Sequence, residues 1–276
     1  MIIHSDWHIH SENSYDAANP ITHIGNSANA QGLRRFGITD HANTNDPSFR
    51  KNIEDSSCNV KALQEKYPNM VLGVELTPIE RARYDYICKY GTREGYTPPS
   101  CCDYRDSVLP YSKEELTALG IRYAVAAVHW SLIGPTARGG DLQECIASWH
   151  HQQMALASDE RTTILGHPWY HGKALWYEDF NVIPRSMKLE LATALQENGK
   201  AAECNSHFFT RAKTTEKFRH QYAEFLRELF EMGVPVTYGS DSHHDYEDLR
   251  PRVEQYLSAA GFRDGDFYDL SEKDLW

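Results

Sequence analysis

Residues 2–10 read IIHSDWHIH. Ile2, Ile3, Trp7 and Ile9 give the run its apolar residues, and it ends on two histidines, His8 and His10, one residue apart. Residues i and i+2 of a strand point to the same side, so both imidazoles can aim at one centre. The pair alone does not separate two chance strand residues from one corner of a metal site. The question is whether the pattern recurs.

It does. Short apolar runs at 36–41 (FGITDH), 70–76 (MVLGVEL), 122–129 (RYAVAAVH), 162–167 (TTILGH), 201–205 (AAECN) and 234–241 (VPVTYGSD) read as buried strands. Helix-like stretches lie between them. The clearest is 215–232, where Phe218, Tyr222, Phe225, Leu226 and Leu229 make one apolar face and Gly233 follows as a stop. Stretches 185–198, 141–157, 20–31 and, more weakly, 51–66 behave alike. Strand and helix in alternation predict parallel strands with crossover helices. Seven such units in 276 residues fit an α/β, barrel-like fold in a single domain, 1–276. One segment, 84–111, is rich in Tyr, Gly, Pro and Cys and reads as a long irregular insertion, a lid, a pocket wall or a plain surface loop.

The polar residues fall at the ends of these runs. His8 and His10 close the first, Asp40 and His41 the second, Glu75 the third, His129 the fourth and His167 the fifth. Cys204 and Asn205 close the sixth, and Asp241 and His243 end or follow the seventh. Asp16 lies in the loop after His10 and can fold back over the rim. In an α/β barrel the carboxyl ends of the strands carry the active site. Imidazole and carboxylate together suit zinc, manganese or iron(II) better than magnesium or calcium.

A lone histidine is more often a hydrogen-bonded structural group than a ligand. By that standard His4, His23, His150, His151, His171, His207, His220 and His244 stay unassigned, and the His150–His151 pair is expected to be solvated on its helix. Cys204 reads as a small core residue and Asp6 as a structural hydrogen-bond acceptor.

Bulk properties narrow the classes. The net charge of −11 argues against a general nucleic-acid or membrane surface. The six cysteines form no C-x-x-C pair and suggest neither a disulfide framework nor a zinc knuckle. No basic-then-apolar leader and no 18-residue apolar run is evident, so a cytoplasmic protein is expected.

HIHS at 8–11, TDH at 39–41, GVE at 73–75, VH at 128–129, GHP at 166–168, ECN at 203–205 and GSDSH at 239–243 together resemble the PHP (polymerase and histidinol phosphatase) family, in family order. The resemblance implies a distorted seven-stranded (β/α) barrel, TIM-like, with its site at the C-terminal strand ends. It also implies a centre of two to three divalent transition ions (Zn, Mn or Fe). His8, His10, Glu75 and Asp241 would hold the first ion. A bridging Glu75 with His129 and His167 would hold the second, and Asp16, His41 and His243 the third. Asp16 stands where some members have histidine.

The family's usual chemistry is phosphoester hydrolysis, with water acidified between two ions as the nucleophile and no side chain in that role. The charge of such ions exceeds that of Asp16, Glu75 and Asp241, so the centre would attract a small phosphorylated substrate, histidinol phosphate or a nucleotide or sugar phosphate. Arg211, a few residues after ECN, is the first candidate for the phosphate, although its offset from the family's basic residue is not identical. Lys173 is second, and Arg93, Arg105 and Arg138 are further cations. Trp130 and Trp169 follow ligand-type histidines and are candidate pocket walls, with packing as the default. Two other readings stay open: a metal-dependent hydrolase of a non-phosphate bond, and a non-catalytic module of the same family.

Overall fold

Two parallel sheets carry the chain's polar strand ends. In the computed structural model, which describes residues 2–44, 46–97, 106–130, 141–170 and 175–276, the first sheet joins β1 (Asp6–Ile9), β2 (Phe36–Ile38) and β4 (Met70–Leu72) in the order β1-β2-β4. The second joins β3 (His41–Ala42), β5 (Val74–Leu76), β8 (Ala124–Ala127), β9 (Ile164–Gly166), β10 (Ala201–Asn205) and β11 (Val236–Gly239), in the order β11-β10-β9-β8-β5-β3. Each of the seven expected runs contains a strand. Two of them break midway, so that β2 and β4 lie in one sheet while β3 and β5 lie in the other.

The ladders do not close into one barrel. The sheets meet at the site, where the Asp241 amide donates to the His8 carbonyl (2.7 Å) and the His10 amide to the Ser242 carbonyl (3.0 Å). These bonds fix β1 against the chain leaving β11.

Helices follow the strands as the pattern predicts. α1 (Ile21–Ala30), α2 (Phe49–Leu63), α5 (Leu142–Ser158), α6 (Arg185–Glu197) and α8 (Glu216–Glu231) correspond to the five expected stretches. Phe218, Tyr222, Phe225, Leu226 and Leu229 of α8 are all buried. Its N-terminus is capped by the Thr215 hydroxyl, which accepts from the Phe218 amide at 3.1 Å. No described helix is long and apolar enough to cross a membrane.

Segment 84–111 differs from expectation at its start. α3 (Arg81–Tyr90) occupies it, burying Ile87 and ending where Gly91 turns left-handed (φ 67°). Strands β6 (Ile79–Glu80) and β7 (Ser107–Val108) pair antiparallel and bring the ends of the segment together. Residues 98–105, with Cys101, Cys102 and Arg105, lie outside the described residues.

The opposite ends of the strands are covered by the last stretch of chain. The Tyr268 amide donates to the Val236 carbonyl and the Trp276 amide to the Arg122 carbonyl, both at 2.7 Å. Leu270 and Leu275 are buried beside Trp7, Tyr123, Val125, Ile164 and Ala201. One end of the strand set is sealed by apolar side chains, and the other opens on a cleft.

Candidate metal centre

Glu75 is the hub. Val74 and Leu76 enter the main core, which turns the side chain between them the other way. Glu75 is wholly buried. Its Oε2 lies 3.5 Å from both His8 Nε2 and His10 Nε2, and 2.6 Å from His41 Nδ1. Its Oε1 lies 3.3 Å from His129 Nε2 and 3.1 Å from His167 Nε2. Asp241 Oδ1 completes the first group, 3.6 Å from His8 Nε2 and 3.3 Å from His10 Nε2. A third group forms at the rim. There Asp16 Oδ2 is 3.5 Å from His41 Nε2 and 3.7 Å from His243 Nε2, and the two ring nitrogens are 3.3 Å apart. The nine candidate ligands, eight at or just after strand ends and Asp16 from the loop after His10, therefore converge.

The spacing suits an ion better than direct bonding. His8 Nε2 and His10 Nε2 face each other at 3.1 Å. Glu75 Oε2 and His41 Nδ1 are buried without a hydrogen-bond partner among the described residues, their close approach lacking hydrogen-bond geometry. An ion about 2.0 Å from each of four ligands sets neighbouring donors about 3.3 Å apart. Donor atoms of His8, His10 and Glu75, of His41, Glu75 and His129, and of His10, His41 and His243 each lie within 4.8 Å of one another. These clusters are able to hold metal, and the mixed nitrogen and oxygen donors suit transition ions.

Charge follows the same geometry. Burial pushes Glu75 up, but His41, His129, His8 and the His167 bond outweigh it and hold the carboxyl well below the usual range. Burial likewise works against Asp241 and Asp16, yet His8 and His207 hold Asp241 well below, and His41 holds Asp16 at about 2. Burial would lower His41, but Glu75 and Asp16 raise it to about 10. His8 is also lowered by burial and more strongly raised by Glu203, Glu75 and Asp241. His129 falls to about 3, mainly by burial, and His10 is held well below its usual value by burial and by His243 and His41.

An outer layer orients the rings. His10 Nδ1 lies 3.1 Å from the Ser14 hydroxyl, which donates to Asp40 Oδ1 at 3.1 Å and accepts from the His41 amide at 3.0 Å. Having spent its proton on Asp40, the hydroxyl accepts from His10, which leaves His10 Nε2 free to face the centre. Thr77 sits 3.0 Å from His129 Nδ1, and the Asp241 carbonyl is 2.9 Å from His243 Nδ1. Asp6 is the buried acceptor expected, taking bonds from the Ser240 amide and Tyr246 hydroxyl, both at 2.9 Å, and burial pushes it up to about 6. Cys204 is fully buried in the core. His167 (φ 27°) and Asp241 (φ 54°) have left-handed backbones, strain that needs surrounding structure to hold it.

A cleft of about 660 Å³ opens over the centre, edged by Tyr15, Trp130, Tyr170, His207 and Arg211 among others. Arg211, on the turn after the short helix α7 (His207–Thr210), donates to the Tyr170 hydroxyl at 2.9 Å and lies 2.8 Å from His207 Nδ1. Trp130 stands at the wall, its ring 5.9 Å from that of His129. Trp169 does not. Its left-handed backbone (φ 65°) turns the ring into the core, where it is fully buried and stacks on His150 at 6.2 Å. His150 is accordingly buried, not solvated, with Nε2 3.2 Å from Glu190. Arg93 is exposed away from the cleft lining, and Lys173 and Arg138 lie outside the described residues.

Two residues have no counterpart among the sequence candidates. His207 lines the cleft with Nδ1 3.1 Å from Asp241 Oδ2, and Glu203 lies 2.7 Å behind His8 Nδ1. His207 carries no spacing signal, and Glu203 falls within the ECN motif at 203–205 without being given a role there.

No curated protein matches the chain. A histidinol phosphate phosphatase from Lactococcus lactis subsp. lactis, solved with zinc, L-histidinol and phosphate, has a similar structure. The TM-score is 0.65 at 19% identity, over 100% of this chain and 99% of that one. A protein from Agrobacterium tumefaciens, solved in its apo form, gives 0.47 at 10% identity over 99% and 92%. The sequence profile of the PHP domain matches residues 6–261, a span that holds every residue of the centre, and the chain belongs to the PHP-domain family.

Proposed function

We propose that the protein is a metal-dependent phosphomonoesterase acting on a small phosphorylated metabolite. The observation that carries this is Glu75, whose two oxygens separate two sets of histidine nitrogens at ion-compatible distances beneath an open cleft. Three divalent transition ions, zinc, manganese or iron, fit the donors. His8, His10, Glu75 and Asp241 would hold the first, Glu75, His129 and His167 the second, and Asp16, His41 and His243 the third. When bound, such ions polarise a phosphoryl oxygen and acidify water.

The chain's own groups do the rest. Glu75 and Asp241, held ionised, keep the donor set anionic enough to retain the ions. Arg211 is pinned by Tyr170 and His207, so part of its guanidinium fork is fixed toward the cleft and can take two phosphate oxygens. Trp130 offers an apolar wall to the ester's organic part. A cleft of about 660 Å³ takes a small ester, and a net charge of −11 opposes a nucleic-acid backbone or an anionic membrane. The Ile9–Ser242 bridge supports treating the two sheets as one distorted seven-stranded barrel. A cytoplasmic location accords with free thiols at Cys58 and Cys88.

The test is phosphate release from a panel of esters headed by histidinol phosphate, with nucleotide and sugar phosphates after it. Metal analysis should find two to three transition ions per chain, and Asp241→Ala should abolish turnover. Arg211→Ala should raise KM roughly 10- to 100-fold, the worth of a charged hydrogen bond, with metal content unchanged. A wild type that binds ions but releases no phosphate from any ester sinks the phosphatase reading and favours attack on a carbonyl.

A further inference from the structure

We propose that Glu203 is a positioning residue that acts through His8 to set the grip on the first ion; this rests on the metal-centre reading above. Glu203 is 1% exposed. Among the described residues no lysine or arginine pairs with it. A buried carboxylate with no lysine or arginine beside it is costly unless its oxygens are hydrogen-bonded. Both oxygens are, and their partners are groups of the site. Oε1 lies 2.7 Å from His8 Nδ1, and Oε2 accepts from the His167 amide and, at 3.3 Å, from Asn205 Nδ2. The same Asn205 amide group donates to Asp241 Oδ2 at 3.1 Å. Glu203 thus ties the ends of β1 and β9 to β10, and its neighbour Asn205 extends the tie to the end of β11.

The chemistry follows from what a carboxylate can do. It only accepts, so the His8 proton sits on Nδ1 and the Nε2 lone pair points away from it. That lone pair faces His10 Nε2, Glu75 Oε2 and Asp241 Oδ1 at 3.1, 3.5 and 3.6 Å. The negative charge behind the ring also makes Nε2 a stronger donor. Space for the arrangement is reserved next door. A methyl group at Gly239 would stand 1.8 Å from Glu203 Oε1 and 2.7 Å from His8 Cβ. Gly239 is therefore needed for room at this contact.

Glu203→Gln keeps the shape and removes the charge. Zinc affinity, read by chelator competition, should fall 10- to 100-fold for one ion, the usual effect of losing such a partner. The visible bands of the cobalt(II)-loaded variant should shift, while the far-ultraviolet spectrum stays as in wild type. Gly239→Ala, which crowds the carboxylate from outside, should change affinity in the same direction. An affinity within threefold of wild type for a folded Glu203→Gln, with unmoved cobalt bands, overturns the proposal. Should both variants fail to fold, nitrogen-15 spectra of zinc-loaded wild type decide. His8 protonated at Nδ1 supports the proposal, and His8 protonated at Nε2 defeats it. Wild type that takes up no zinc defeats the metal reading itself, a result separable from equal binding by variant and wild type.

Discussion

His4 and His8 lie four residues apart on one stretch of chain, and each meets a carboxylate at 2.7 Å, Asp264 for His4 and Glu203 for His8. Distance alone makes the pairs equal. Exposure separates them: 26% and 70% for His4 and Asp264, against 1% and 1% for His8 and Glu203. Water can replace either partner of the outer pair, so little is lost when one goes. Neither partner of the inner pair has water to turn to, and removing one strands the other. The alternation of the strand aims His8, like His10, at Glu75 and Asp241, whereas His4 precedes the strand at the end sealed by the chain's last residues.

The largest effect expected from this contrast is on activity. His8→Ala removes a donor and strands Glu203, so phosphate-ester turnover should fall by more than the about 100-fold that loss of an outer partner costs. His4→Ala should leave kcat and KM near wild type. Comparable losses from both substitutions, measured on metal-saturated protein, would break the comparison.

Why one histidine matters and the other does not is only partly written in the sequence. Strand ends, and the i, i+2 spacing of His8 with His10, pick out eight of the nine residues that converge, because a parallel strand fixes both where its end lies and which way its side chains point, and Asp16 comes from the loop after His10. Glu203 escapes that logic. It sits between Ala202 and Cys204 in a buried strand, and only the three-dimensional neighbourhood of Gly239 and His8 shows what its carboxylate serves. His207 escapes because it lies on a four-residue helix with no period to read. Trp169 misleads for a related reason: adjacency to His167 says nothing of direction, and a left-handed turn sends the ring into the core. That ring then buries His150, which the helix pattern alone leaves facing water. Likewise α3 is hidden by its tyrosines, whose apolar stripe is too weak to mark a helix when only Ile87 is fully buried.

A smaller effect should appear in protons. Burial lowers His8 and His41, but the carboxylates around them win, holding His41 at about 10 and His8 well above its ordinary value. Since the folded value of His41 exceeds the ordinary 6.5, its protonated pair stabilises the metal-free chain fully below that pH and loses this as pH rises through about 10. Ions must displace those protons, whereas His10 and His129, held low, have none to give at neutral pH. Zinc binding at pH 7 should therefore release about two protons and tighten as pH rises. Calorimetry in buffers of different ionisation enthalpy reads the number. Release of none would mean that His8 is as neutral as an ordinary exposed histidine, and the electrostatic half of the contrast would fall.

The smallest effect belongs to the outer pair. His4 holds the Asp264 carboxyl below its usual range through a hydrogen bond, which shows contact but not worth, because the carboxylate is solvated. Asp264→Asn should leave the thermal midpoint, zinc affinity and proton release unchanged within error, while the equivalent change at Glu203 shifts the last two. Salt sharpens the distinction. Screening weakens exposed pairs and barely touches buried ones, so 0.5 M salt should leave the Glu203→Gln defect intact. If Asp264→Asn instead lowered zinc affinity, the two ends of this stretch would be coupled through β1, and burial would not be what sets the two histidines apart.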